Sequence, residues 1–193
     1  MGDEGAYRQL LEDHARLKAR TALLQRLLHL HGAPDDFDAV FDGLLDAALD
    51  YFGAAAGALY MLDADRDELY FAAARGPKAQ EVLALDATLR PGEGLAGASF
   101  TSGEVLAVSD VRADERFARE VSAAVHYEVR SALTVPLVCE GTALGALQLL
   151  NARGDAFTAD ELEVARQLGR QGGELIGLGL RLEQLRAAGK ESP

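Results

Sequence analysis

The sequence predicts an α+β domain flanked by long amino- and carboxyl-terminal helices, and three observations carry that reading. Two stretches rich in alternating apolar residues fold back around short polar turns, the pattern of antiparallel hairpins. Both chain ends repeat apolar residues at spacings of three and four, the signature of a helix with a seam. The middle breaks into short pieces separated by glycine, proline and acidic residues.

At 193 residues, 49% of them apolar, the chain suits one domain plus accessory helices and buries too much to be disordered. From residue 7 to residue 31 there is neither glycine nor proline, and Tyr7, Leu10, His14, Leu17, Thr21, Leu24, Leu28 and His31 alternate by three and four. Gly32, Ala33 and Pro34 end that helix. Asp35 or Asp36 caps a second one running through Phe37, Val40, Phe41, Leu44, Leu45 and Leu49 to about Tyr51.

Residues 54–62 and 68–74 read as strands around the turn at 63–67, opening an antiparallel sheet. Asp63, Asp65 and Asp67 imitate the start of a calcium loop. Glu68 replaces the glycine such a loop needs, and Ala74 stands where its bidentate acid belongs, so the stretch is read as a solvated turn. Short pieces follow: a strand at 86–89, a helix at 94–101, a strand at 105–108 and a loop at 110–119. Residues 131–139 and 142–151, turning at Glu140-Gly141, form the clearest hairpin and are placed at the centre of the sheet, with Leu133, Val135, Leu137 and Cys139 on one face. Thr158 and Glu161 make a capping box for a final helix. Its seam runs Val164, Leu168, Gln171, Leu175, Leu178, Leu182 and Leu185.

The run Pro91-Gly92-Glu93-Gly94-Leu95-Ala96-Gly97 matches the G-x-G-x-x-G spacing of a dinucleotide-binding turn, with Asp110 eighteen residues after Gly92. Between Gly94 and Gly103 there is room for only about two helical turns, where a full crossover helix is required. A phosphate loop is excluded because Ala98 occupies the lysine position. The glycines are therefore read as geometry: Gly92 and Gly94 turn the backbone into a short helix, and Gly97 lets that helix lie close to the sheet.

Net charge is −12, with five basic and ten acidic residues in the first fifty and no segregated basic face, which argues against nucleic-acid binding. The acidic start Met1-Gly2-Asp3-Glu4 and the lack of a long apolar run argue against a leader or a membrane span. Cys139 is the single cysteine. It allows no internal disulfide, suits a reducing compartment and is read as a small buried hydrophobe, so a cytoplasmic location is expected. His29-x-His31 is not the spacing of a tetrahedral metal site, and neither a serine elbow nor a zinc-protease helix is present. No cofactor is expected.

Taken together, the glycine run, Gly103, Asp110-Val111, Asp114, Arg116-Phe117, Arg130-Ser131, Val135-Pro136-Leu137, Gly141, Gly145, Asn151 and Phe157-Thr158 closely resemble a GAF domain over about residues 35–180. Residues 1–34 are then an amino-terminal dimerisation helix, and 181–193 the end of the last helix and its tail. The resemblance implies a central antiparallel sheet, helices on one face and a small-molecule pocket on the other. It also implies a regulatory signal-transduction protein rather than an enzyme, binding an unidentified small molecule, or none, and passing a signal to a separate partner protein. The alternative is a ligand-free fold acting as a dimeric scaffold.

Candidate pocket residues on this basis are Gly94, Leu95, Phe117, Tyr127, Arg130, Ser131 and Leu133. Phe117 is read as a core anchor or a ring-stacking contact, and Arg130 as an anion clamp or a partner of Asp110, Asp114 or Glu128. The homodimer is expected to form through Leu10, Leu17, Leu24 and Leu28 of the first helix and Leu168, Leu175, Leu178, Leu182 and Leu185 of the last. Cyclic-nucleotide-binding relatives carry an Asn-Lys, Phe, Asp-Glu pattern. Here Ala152 replaces the lysine, and the interval from Phe157 to Asp160 is one residue short. Relatives that reduce free methionine sulfoxide use several cysteines, whereas Cys139 has no second thiol to resolve an intermediate.

Overall fold

The computed structural model describes residues 2–153 and 157–190; the first residue and the tail end at 191–193, included in the terminal segments above, lie outside them. In chain order the elements are α1 (Gly2–Leu30), α2 (Phe37–Phe52), β1 (Ala56–Asp63), β2 (Glu68–Arg75), α3 (Ala79–Ala84), β3 (Thr88–Leu89), α4 (Gly94–Ser102), β4 (Leu106–Val108), α5 (Arg119–Ala124), β5 (Ala132–Cys139), β6 (Thr142–Leu150) and α6 (Ala159–Lys190).

The strands form one antiparallel sheet in the order β3-β2-β1-β6-β5-β4. The innermost pair is β1 with β6, so the late hairpin supplies one central strand and not, as expected, the centre itself. The short pieces of the middle explain this: β3 and β4, two and three residues long, can only extend the sheet at its two edges.

Alternation sorts the sheet residues by face. Leu59 and Met61, Leu133, Val135 and Leu137, and Leu147 and Leu149 pack into one large core with α1, α2 and α6. The other face carries smaller or polar residues, among them Ala58, Tyr60, Ala132, Thr134, Ala146 and Gln148.

Each long helix is shaped by local signals. The Asp36 carboxylate caps α2, accepting the Ala39 N–H at 3.1 Å, and Gly53 closes the helix in the left-handed conformation at φ 59°. The Thr158/Glu161 capping box forms as expected: the Glu161 N–H donates to Thr158 Oγ1 at 3.2 Å, and the Thr158 N–H donates to the Glu161 carboxylate at 2.8 Å. α6 then lies directly on the backbone of β5. A Cβ at Gly169 would stand 2.4 Å from the Pro136 carbonyl oxygen, and one at Gly173 would stand 2.3 Å from that of Val138. Only glycine permits that approach.

The seams of α1 and α6 divide differently from expectation. In α1, Leu23 and Leu27 are buried in the core, while Leu10, Leu17, Leu24 and Leu28 are 65%, 65%, 39% and 72% exposed on another face. In α6, Leu168 and Leu175 are buried in the domain's own core, which removes them from the expected dimer seam; Leu178 and Leu185 remain exposed and Leu182 half-buried. The reason is that the sheet needs the first half of the α6 stripe as its cover. Arg20 of α1 hydrogen-bonds Gln167 of α6, and Asp35 just beyond α1 pairs with Arg186, so the two helices run side by side in the same direction.

Candidate functional site

Small side chains on the second sheet face leave space beneath the helices that cross it. Ala58 and Ala74 of the sheet and Ala96 of α4 border a partly open cavity of about 80 Å³, lined on its other sides by α3, α5 and the segment leading into β5. To one side Tyr60 and Phe71 pack ring to ring at 4.5 Å, with Leu69 and Leu89 in the same cluster. To the other, Leu95, Val111, Val129 and Ala132 form a third cluster against which Phe117 and Tyr127 pack.

The glycine run positions α4 over this space. The Arg90 N–H donates to the Glu93 carboxylate at 3.0 Å and the Glu93 N–H to the Arg90 carbonyl at 2.9 Å, closing a turn in which Gly92 has φ 87°. The close approach at Gly97 differs from the expected one. Its Cβ would lie 2.5 Å from the Arg90 carbonyl oxygen, so the residue lets α4 fold against its own entry turn rather than against the sheet.

Of the predicted pocket residues, Gly94, Leu95, Phe117 and Tyr127 line the cavity. Phe117 serves both readings, packing on the third cluster while presenting a surface to the cavity. Arg130, Ser131 and Leu133 stand apart from it. Leu133 points into the helix-side core with Val135 and Leu137, and the strand's alternation requires that. Arg130 is exposed, and two of the three acids named as its partners are engaged elsewhere: Asp110 with Arg112 at 2.8 Å and Asp114 with Arg116 at 2.7 Å. The neighbouring guanidinium holds the Asp114 carboxyl below its ordinary range. The Arg130-Ser131 pair is instead a backbone feature. Asn151 Oδ1 accepts the Arg130 N–H at 2.7 Å, and Asn151 Nδ2 donates to the Glu128 carbonyl at 2.9 Å and the Tyr127 hydroxyl at 3.3 Å.

Polar groups in the cavity wall and floor escape the sequence reading. The Tyr60 hydroxyl donates to Gln148 Oε1 at 3.4 Å, and Gln148 Nε2 donates to Thr134 Oγ1 at 3.3 Å, a buried polar chain across three strands. Burial with no compensating charge pushes the Tyr60 phenol well above its ordinary pKa. A glutamine and a threonine facing the same way within two apolar strands were the available signal. Arg75 and Lys78 also border the cavity, but Arg75 pairs with Asp42 at 2.7 Å and Asp46 at 2.8 Å, and Lys78 with Glu81 at 3.0 Å. Among the described residues no helix is long and apolar enough to cross a membrane, and no cluster of three metal-ligating side chains is present.

A six-stranded antiparallel sheet with long helices on one face and a small cavity beneath short helices on the other defines an α+β class of domain built around an interior space. The GAF domain family model matches residues 36–176, and the chain belongs to that family. The fold resembles the GAF domain of an Acinetobacter phosphoenolpyruvate-protein phosphotransferase, at 18% identity over 84% of this chain and 97% of that one, with a TM-score of 0.67. It also resembles free methionine-R-sulfoxide reductase from Neisseria meningitidis, solved with its substrate, at 19% identity over 84% and 93% of the two chains and a TM-score of 0.64. A probable 3′,5′-cyclic phosphodiesterase of Caenorhabditis elegans is 29% identical over 69 residues, 36% of this chain and only 10% of that protein.

Proposed function

We propose that the chain is a regulatory GAF protein of the cytoplasm: a homodimer whose sheet-side cavity holds a small molecule and whose occupancy is passed through the terminal helices to a separate partner protein. The observation that carries this reading is the cavity itself, bordered by α3, α4 and α5, apolar over most of its wall and carrying the polar groups of Tyr60, Gln148, Ser122 and Tyr127 beside the paired Arg75 and Lys78, the composition of a ligand site. The dimer is supported by the exposed heptad of α1, with Leu10, Leu17 and Leu24 spaced by sevens and Tyr7 and Leu28 on the same stripe. Catalysis is not part of the reading.

The test is thermal shift and native mass spectrometry of the full chain against nucleotides, amino acids and small acids, with sedimentation for the oligomeric state. A stabilising, co-purifying or retained small molecule is expected, and Arg130→Ala is expected to leave its binding unchanged. The scaffold reading is favoured by one observation, the cavity's small volume beside the several hundred Å³ of common ligand pockets. A dimer that no compound stabilises selects it.

A further inference from the structure

The cavity wall restricts the chemistry of its occupant. Both cations that border it are engaged: the Arg75 guanidinium bonds Asp42, Asp46 and the Ala74 carbonyl, and Lys78 pairs with Glu81. Among the described residues no carboxylate lines it. An anion would find no unpaired positive charge there and a cation no negative one, so burying either costs desolvation without a partner.

The polar floor is more specific. A primary amide offers two N–H donors and two acceptor lone pairs. Gln148 spends one donor on Thr134 and one lone pair on Tyr60, keeping one of each. Exchanging the amide's oxygen and nitrogen would reverse both hydroxyl bonds and leave the same remainder, so the count does not depend on the amide's orientation. The volume sets the size: about 80 Å³ is roughly half of the ~150 Å³ apolar cavity that takes up benzene.

We propose that this cavity takes a small uncharged molecule, no larger than a five-membered ring, that carries an N–H and a carbonyl side by side: a lactam or short carboxamide held by Gln148. This rests on the reading of the cavity as a ligand site. The apolar walls provided by Ala58, Leu95, Ala96 and Phe117 cover the hydrocarbon part, and Gln148 answers the donor and acceptor together.

The experiment is a backbone-amide NMR titration of the full chain with 2-pyrrolidinone, cyclopentanone and butyrate, which share a size but differ in hydrogen bonding and charge. Pyrrolidinone is expected to shift the signals of Ala58, Ala96 and Gln148 and to bind about tenfold or more tightly than either of the others, as a satisfied buried polar pair implies. Gln148→Met is expected to erase that preference, Gln148→Glu to do the same by introducing charge, and Ala58→Val to abolish cavity binding of all three. Equal or tighter binding of butyrate or cyclopentanone, or a lactam preference that survives both Gln148 variants, overturns the ligand class and leaves the ligand site standing. If no probe shifts the cavity signals, the class is likewise overturned. The site reading falls separately if compounds found by thermal shift bind Ala58→Val as well as they bind the wild type.

Discussion

Asn151 holds the backbone of Arg130 from twenty-one residues away, accepting its N–H at 2.7 Å just beyond the end of β6. The same carboxamide donates to the Glu128 carbonyl and the Tyr127 hydroxyl, so one side chain fixes the segment that carries Tyr127 and Val129 to the cavity wall. Asn151 adopts φ 54°, a conformation asparagine tolerates better than most residues. Asn151→Ala is expected to cost about 1–3 kcal/mol, because it strands polar backbone groups and removes that tolerance. Asn151→Asp, which retains the acceptor and loses the donors, is expected to cost less. Urea denaturation of the two variants gives the comparison.

Gly97→Ala is expected to destabilise by about 1–3 kcal/mol, the range for forcing atoms into a packed region. Its new Cβ meets the Arg90 carbonyl oxygen of the α4 entry turn, which is backbone and cannot swing aside. Thermal denaturation showing a loss under half a kilocalorie would contradict that geometry.

The two apolar faces of α1 are expected to separate folding from the proposed association. Leu23→Ala, in the core, is expected to cost about 2–5 kcal/mol of domain stability. Leu17→Glu combined with Leu24→Glu changes exposed positions and is expected to convert a dimer to a monomer in sedimentation, with the isolated domain's stability altered by about 0.5 kcal/mol or less. A wild type that is already monomeric at micromolar concentration removes the dimer from the proposed function.

Tyr60 predicts an alkaline limit. Its phenol is raised in the folded state by burial, so the stabilisation from keeping it neutral is complete below the unfolded value of about 10 and is lost as pH rises from there toward the higher folded value. Tyr60→Phe should lose the hydroxyl's bond to Gln148 at neutral pH, yet show a shallower fall in stability above pH ~10 than the wild type. Denaturant midpoints across that range measure both.

How much was legible in the sequence follows the range of the forces involved. The long helices and hairpins were readable because caps such as Asp36 and Thr158 and the periodicities around them act within a few residues. α3 and α5 were missed since each is six residues long with no fully buried side chain to impose a period. The alternation of Leu133 with Val135 and Leu137 is visible in the sequence, but which face of a strand meets the long helices depends on partners distant in the chain, and Leu133 lies on the helix side and not at the pocket. The Tyr60, Gln148 and Thr134 chain has the same origin, with residues that become neighbours only when β1, β6 and β5 pair. Leu168 and Leu175 illustrate the limit of a seam: spacing identifies an apolar stripe, and only the packed domain shows how much of it is already covered.

The contacts of Arg20 with Gln167 and of Asp35 with Arg186 set the direction in which the chain enters and leaves. Because α1 and α6 run the same way, the start of α1 and the end of α6 lie toward opposite poles of the domain. In a parallel two-fold pairing, two identical carboxyl ends would stand together at one pole and two amino ends at the opposite one. Any protein received at either pole would then meet two copies of the same surface at a fixed separation, and its hold would depend on bivalent geometry as much as on the strength of one contact.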